Sequence, residues 1–238
     1  MRYLLFLFFL PLCLFADLQK ISVQFEWIHQ FQYAGFYTAI EKGYYKDAGL
    51  EVSLQEFSNG INVAEDVLKE KATFGTSSSS IILERLKNKP VVLVASYFKQ
   101  NALALVTSKD IKQLSDLKHK KIMLTQYQVD GTGLGVMLSQ NGLTKENYQF
   151  VNHSFNINAF LSSQVDAVSV FLTNEIFYLN QSNTDYNIFI PSDYGIYSYD
   201  LELFTSSNVA HKDPEMVKNF TEATNKGWEY ALDHQEEI

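Results

Sequence analysis

The densest run of side chains able to recognise a small molecule is Glu26-Trp27-Ile28-His29-Gln30-Phe31-Gln32-Tyr33-Ala34-Gly35-Phe36-Tyr37. It falls between a predicted strand end and a predicted helix start, where open parallel sheets hold their ligands. Trp27 suits stacking on a flat ring. His29, Gln30, Gln32 and Tyr33 supply donors and acceptors for ring nitrogens and their substituents. The competing reading is structural, with Trp27, Phe31 and Phe36 in the core and His29 at a cap or in water. A second group, Gly75-Thr76-Ser77-Ser78-Ser79-Ser80, also joins a strand to a helix. One serine there serves as the N-cap. Ser77, Ser78 and Ser79 offer further hydroxyls and amides to polar ring substituents or an anion. A third, Asp130-Gly131-Thr132-Gly133-Leu134-Gly135, lacks the spacing and acidic partner of a dinucleotide fingerprint. It reads either as a helix N-terminus presenting Thr132 to a cleft or as a plain glycine turn.

Catalytic arrangements find little support. The serine run has no Gly-x-Ser-x-Gly elbow and no histidine spaced to serve it as a base. His29, His119, His153, His211 and His234 are scattered and form no His-x-x-x-His pair. Asp166 and Glu175 are a conceivable carboxylate pair, although Asp166 more simply ends a turn. Cys13 is the single cysteine. We therefore expect no catalytic residue, no metal site and no cofactor, and a protein that is not an enzyme.

The elements that position these groups follow from periodicity. Strands are predicted at 21–25, 51–57, 73–75 and 91–95, with helices at 34–46, 62–70 and 81–89 between them. That alternation implies a parallel sheet covered by helices, and the solid apolar run Val91–Ala95 suits a buried parallel strand. A second unit follows, with strands at 102–107, 121–125, 149–151, 166–171 and 187–190. Its helices are predicted at 130–140, 157–162 and 174–179. Leu201–Ser206 reads as a strand returning to the first unit. A closing helix begins near Pro214 and is expected to run to the end of the chain without a stop signal, which suggests that a longer protein continues beyond Ile238.

The 238 residues carry 19 basic and 27 acidic side chains, a net charge of −8, with no basic block. Nucleic acid is thus not an expected partner. Met1-Arg2, the apolar run Tyr3–Phe15 and Ala16 before Asp17 make a secretory signal, expected to be cleaved after Ala16. The mature chain would then hold no cysteine and no disulfide, which fits a bacterial periplasm.

The segment Trp27 to Val52 resembles the thiamine-precursor-type periplasmic substrate-binding proteins of ABC transporters, a family that includes the fungal thiamine pyrimidine synthases. Further similarity lies in Phe74-Gly75 with its serines, Lys89-Pro90-Val91-Val92, Asp116-Leu117-Lys118 and Asp166-Ala167. It continues in Thr173-Asn174-Glu175, Asp193-Tyr194-Gly195 and Gly227-Trp228-Glu229-Tyr230-Ala231. The run His29 to Tyr37 is also similar to variants fused to sensor kinases and diguanylate cyclases. The resemblance implies an α/β two-lobed type II flytrap fold, with mixed sheets, two hinge crossings and a ligand between the lobes. The lobes are expected at 17–100 plus 203–238, and at 101–202. Asn174, Glu175 and Tyr194 join the expected ligand contacts on this basis. The synthases of the family carry a lysine and a histidine where this chain has Ser77 and Ile81. They also carry a cysteine motif near 197–203, where it has none, so their chemistry is not expected here. The implied function is binding a pyrimidine-like or thiamine-precursor-like solute, with an ABC permease as partner. The alternative is a membrane-tethered sensor input.

Overall fold

The computed structural model describes residues 17–58 and 60–238, so the expected signal segment 1–16 lies outside them. The first half runs β1 (Gln19–Gln24), α1 (Ala34–Glu41), α2 (Tyr44–Asp47), β2 (Leu50–Gln55), α3 (Val63–Leu68), β3 (Phe74–Ser77), α4 (Ile81–Leu86) and β4 (Val91–Phe98). It continues with β5 (Leu103–Ser108), β6 (Lys121–Leu124), α5 (Gln126–Gly131), α6 (Gly133–Gln140), β7 (Gln149–Asn152), α7 (Asn158–Leu161), β8 (Ala167–Phe171), α8 (Glu175–Gln181) and β9 (Tyr186–Phe189). The chain then returns through β10 (Asp200–Ser206), α9 (Ser207–Lys212) and α10 (Pro214–Asp233).

Two five-stranded sheets result, ordered β2-β1-β3-β10-β4 and β7-β6-β8-β5-β9. In the first, β1 runs parallel to β2 and β3, while β10 lies antiparallel between β3 and β4. The expectation of a buried parallel strand at 91–95 is thereby corrected. β4 is an edge strand paired antiparallel to β10, and Leu93 on it is 52% exposed. A continuous apolar run cannot tell an edge strand covered on one face from a central one. The second sheet is buried on both faces. Along β5, Leu103 and Leu105 enter one apolar cluster, and Ala104 and Val106 enter another.

Three other expectations are adjusted. The helix at 34–46 is two helices, because Gly43 takes φ +77, a left-handed conformation that ends α1. The helix at 130–140 is preceded by another, α5, capped by Thr125 and Gln128. The Thr125 hydroxyl accepts from the Gln128 N–H at 3.1 Å, and the Gln128 side chain accepts from the Thr125 N–H at 2.9 Å. The closing helix stops at Asp233, after which Glu237 folds back onto Lys42 at 2.7 Å and the Tyr230 hydroxyl at 2.7 Å.

The first core is organised by Phe220 on α10, which stacks on Phe74 at 4.2 Å and on Tyr45 at 5.2 Å between ring centres. Helix α10 reaches that depth because α1 lets it approach closely. A Cβ on Gly227 would lie 2.0 Å from the Gly35 carbonyl oxygen, and one on Gly35 would lie 2.3 Å from the Trp228 ring. Gly227→Ala should therefore force the helices apart and destabilise the protein by about 2 kcal/mol or more. Alanine at the exposed neighbour Lys226 should cost less than ~0.5 kcal/mol. Urea denaturation checks both, and equal midpoints for the two variants would contradict the close approach.

Candidate ligand cleft

The carboxyl ends of β1 and β3 and the start of the antiparallel β10 lie at one end of the first sheet's strands. Glu26 follows β1, and its N–H donates to Thr76 Oγ1 at 3.0 Å. Trp27 comes next, its carbonyl accepting from the Phe57 N–H at 3.1 Å. The Trp27 ring stacks on Phe57 at 6.1 Å and 19°, and meets Phe155 from the second lobe at 5.7 Å and 46°. Phe155 stands 63% exposed after β7, with a positive φ of 56. His153 holds it there: Nδ1 accepts from the Phe155 N–H at 2.9 Å, and Nε2 lies 2.9 Å from the Ser169 carbonyl oxygen. Those two contacts select the neutral ring with its proton on Nε2.

The serine loop faces the second lobe. Ser78 Oγ lies 2.9 Å from Ser80 Oγ and 2.7 Å from the Tyr127 hydroxyl on α5, which also contacts Ser80 Oγ. Ser79 Oγ donates to the Tyr199 carbonyl at 2.7 Å. Serine hydroxyls thus close one side of the cleft, and Tyr127 bridges the lobes.

Beneath them lie three carboxylates. Glu202 on β10 is 3% exposed and pairs in register with Ser77 of β3 and Ser96 of β4. Asp200 precedes it across Leu201, whose φ of +51 is unusual for a non-glycine residue within a strand. Burial, reinforced by the charge of Asp200, pushes the Glu26 carboxyl up to about 8. Burial likewise raises Asp200 to about 6 and moves Glu202 upward. Glu26 keeps some surface as a residue, but its carboxyl is enclosed by protein, and the upward direction follows from that enclosure.

The residues nominated from sequence distribute unevenly. Trp27, Ser78 and Ser79 follow the carboxyl ends of β1 and β3. Ser77 is the last residue of β3, its backbone paired to Glu202. His29 is exposed, its Nδ1 on the Tyr37 hydroxyl and its Nε2 3.9 Å from Glu56. Gln30 and Gln32 flank and form the short turn 31–33, partly exposed. The Tyr33 ring is wholly buried, stacked on Phe25 at 3.7 Å, so it offers no face to a ligand. Thr132 separates α5 from α6, its hydroxyl donating to the Gln128 carbonyl at 2.7 Å. Glu175 accepts from the Phe171 N–H at 2.7 Å at the start of α8, beside exposed Asn174. Tyr194 packs on the second lobe's leucine-rich core. Tyr127, Phe155, Asp200 and Glu202 were not nominated. Only Tyr127 had a local signal, the capping box Thr125-x-x-Gln128 around it.

Among the described residues no three His, Cys, Asp or Glu side chains converge closely enough to hold a metal ion. The profile of the family described as NMT1/THI5 like matches residues 30–238. The chain belongs to the NMT1/THI5-like family. A similar protein is the formylaminopyrimidine-binding protein of Halalkalibacterium halodurans, 27% identical over 92% of this chain and 68% of its own length. The riboflavin-binding protein RibY of Chloroflexus aurantiacus is 22% identical over 92% of this chain and 64% of its own length. Among solved structures, the periplasmic aliphatic sulphonate binding protein SsuA of Escherichia coli superposes with a TM-score of 0.72. It is 16% identical, over 92% of this chain and 76% of that one. The fold is thus the two-lobed type II periplasmic-binding-protein fold, as the sequence resemblance implied.

Two outcomes test this NMT1/THI5-like cleft. Tyr127→Phe removes the hydroxyl that bridges the lobes, at a cost of about 1 kcal/mol. X-ray scattering should then show a larger radius of gyration than wild type, and an unchanged radius would contradict the bridge. For Glu26, a folded value near 8 against an ordinary 4.5 means that the folded state holds a proton the unfolded state has lost between those pH values. Its contribution to stability is present below the ordinary value and disappears as pH rises through about 8. Glu26→Gln should therefore melt higher than wild type at pH about 8, the gap closing by pH about 5. A gap that is constant with pH would refute the buried acid.

Proposed function

We propose that this protein is an extracytoplasmic solute-binding protein that closes on a small nitrogen-containing aromatic ligand for ABC-type uptake. The observation that carries this reading is the aromatic clamp. Trp27, backed by Phe57, meets Phe155 from the other lobe at 5.7 Å and 46°, so the two rings touch across the cleft and part to admit a ligand. A planar ligand entering between them gains stacking on both faces and loses its water. One lobe is built on the first sheet, with β10 from Asp200 onward, and the other on the second sheet, with the two crossing segments between them as the hinge. Related proteins named for binding a pyrimidine and a flavin, both nitrogen heterocycles, support the ligand class.

The protein binds and releases its ligand unchanged. Ser78 and Ser80 are hydrogen-bonded to a tyrosine and not to a histidine, so neither is activated as a nucleophile. The apolar start of the sequence directs the chain out of the cytoplasm. No helix among the described residues is long and apolar enough to cross a membrane. A membrane permease completes the uptake reaction.

Thermal-shift measurements with substituted aminopyrimidines, thiamine fragments and flavin test the reading. A true ligand at about 100 times its Kd stabilises the folded protein by about 2.7 kcal/mol. Trp27→Ala should abolish that shift. A full shift in Trp27→Ala would exclude the clamp, and no shift with any heterocycle would exclude the ligand class.

A further inference from the structure

Glu26, Asp200 and Glu202 are acidic groups that the fold encloses without giving them a basic partner. Among the described residues no Lys, Arg or His nitrogen comes within 4.0 Å of any of them, whereas Glu56 and Glu65 of the same lobe do have such partners. Glu202, 97% buried as a residue, has its Oε2 without any hydrogen-bond partner. The wholly buried Tyr33 stands beside Glu26. Structural carboxylates at such depth are ordinarily matched by donors, and an unmatched oxygen costs free energy. The strained φ of Leu201, between Asp200 and Glu202, shows that the backbone too is held away from its relaxed form here.

We infer that the floor of the cleft is a recognition site for an organic cation, so that an ammonium, amidinium or protonated ring nitrogen of the ligand sits against Glu26, Asp200 and Glu202. This rests on the binding-protein reading and narrows its ligand to one with a positive group below the stacked ring. A metal ion does not fit, because these oxygens do not converge on one metal-sized point. An extended cation with several N–H groups can reach separate carboxylates and satisfy the free Glu202 oxygen.

The elements around the site leave the carboxylates as its titrating groups. Tyr33 from the turn after β1 and Tyr127 from α5 face them, and burial, then the charge of Glu26, moves both phenols further above their ordinary value. The Ser78 amide opposes the rise of Glu26, and Ser96 on β4 opposes that of Glu202. Before binding, Glu26 therefore keeps its proton near neutrality. An arriving cation favours the ionised form and displaces that proton. Affinity for a permanently charged ligand should rise with pH between about 5 and 8, and binding should release protons into the buffer.

The test is calorimetric titration of the full chain with benzamidinium and its neutral isostere benzamide, at pH about 5 and about 8. Benzamidinium should bind about tenfold tighter or more than benzamide at the higher pH. That preference should shrink at the lower pH, and the binding enthalpy should vary with the ionisation enthalpy of the buffer. Glu202→Gln should abolish the preference, and Asp200→Asn provides the same test if Glu202→Gln fails to fold. Equal affinities, no benzamidinium binding, or a preference untouched in both variants would overturn the site. An N-formylated aminopyrimidine, which lacks the ammonium arm, separates the two readings. If it binds while benzamidinium has no advantage, the cation site falls and the heteroaromatic reading stands. If benzamidinium is preferred and no pyrimidine binds, the cation site stands and the heteroaromatic reading falls.

Discussion

Strand β10 enters the first sheet between β3 and β4, antiparallel to both, and the rest of the cleft depends on that insertion. It completes the sheet after the chain has made a second lobe and come back. It also brings Asp200 and Glu202 against the carboxyl ends of β1 and β3, where Glu26 and the serine loop already stand. A register shift between Leu203 and Phe204 and the positive φ of Leu201 show that the strand does not fit passively. Its lower half anchors in apolar packing, with Leu203 and Phe204 wholly buried. Its upper half carries Asp200 and the buried Glu202 into the cleft. The packing of the lower half stabilises the fold sufficiently to hold the unfavourable upper half in place.

The lobes are unequal partners in that site. The first contributes Trp27, the serine loop and the carboxylates, all fixed on strand ends or the turns that follow. The second contributes Tyr127 and Phe155, each held by a local polar device. Tyr127 sits in the first turn of α5 behind the Thr125–Gln128 box. Phe155 is placed by His153, whose ring bridges the Phe155 amide and the Ser169 carbonyl. Ser169 in turn donates to Gln128 at 2.7 Å, so the two devices share one network. Cleft contacts from the second lobe therefore move together, as a flytrap closure requires.

Much of the architecture was legible in the sequence because alternating strands and helices leave a strong periodic record. The cluster at Glu26–Tyr37 and the serines at 77–80 were legible for a different reason: unusual polar and aromatic residues stood where strands end. The antiparallel pairing of β4 was not, since the apolar run Val91–Ala95 reads the same at an edge or in the centre. The burial of Tyr33 was not legible either, for a similar reason. A tyrosine in a polar run looks available, and only the fold shows its ring stacked on Phe25. Asp200 and Glu202 were invisible because their importance lies in proximity to Glu26, roughly 175 residues earlier in the chain, and sequence spacing carries no such information.

The central claim is that a planar ligand binds between the lobes against Trp27. The most direct measurement is a titration of intrinsic fluorescence with an aminopyrimidine, read as the difference between wild type and Trp27→Phe. Trp228, the second tryptophan, is buried against Gly35 and contributes equally to both. The account predicts a saturable change at one ligand per chain in wild type and none in Trp27→Phe. A saturable change of the same size in both proteins would contradict it.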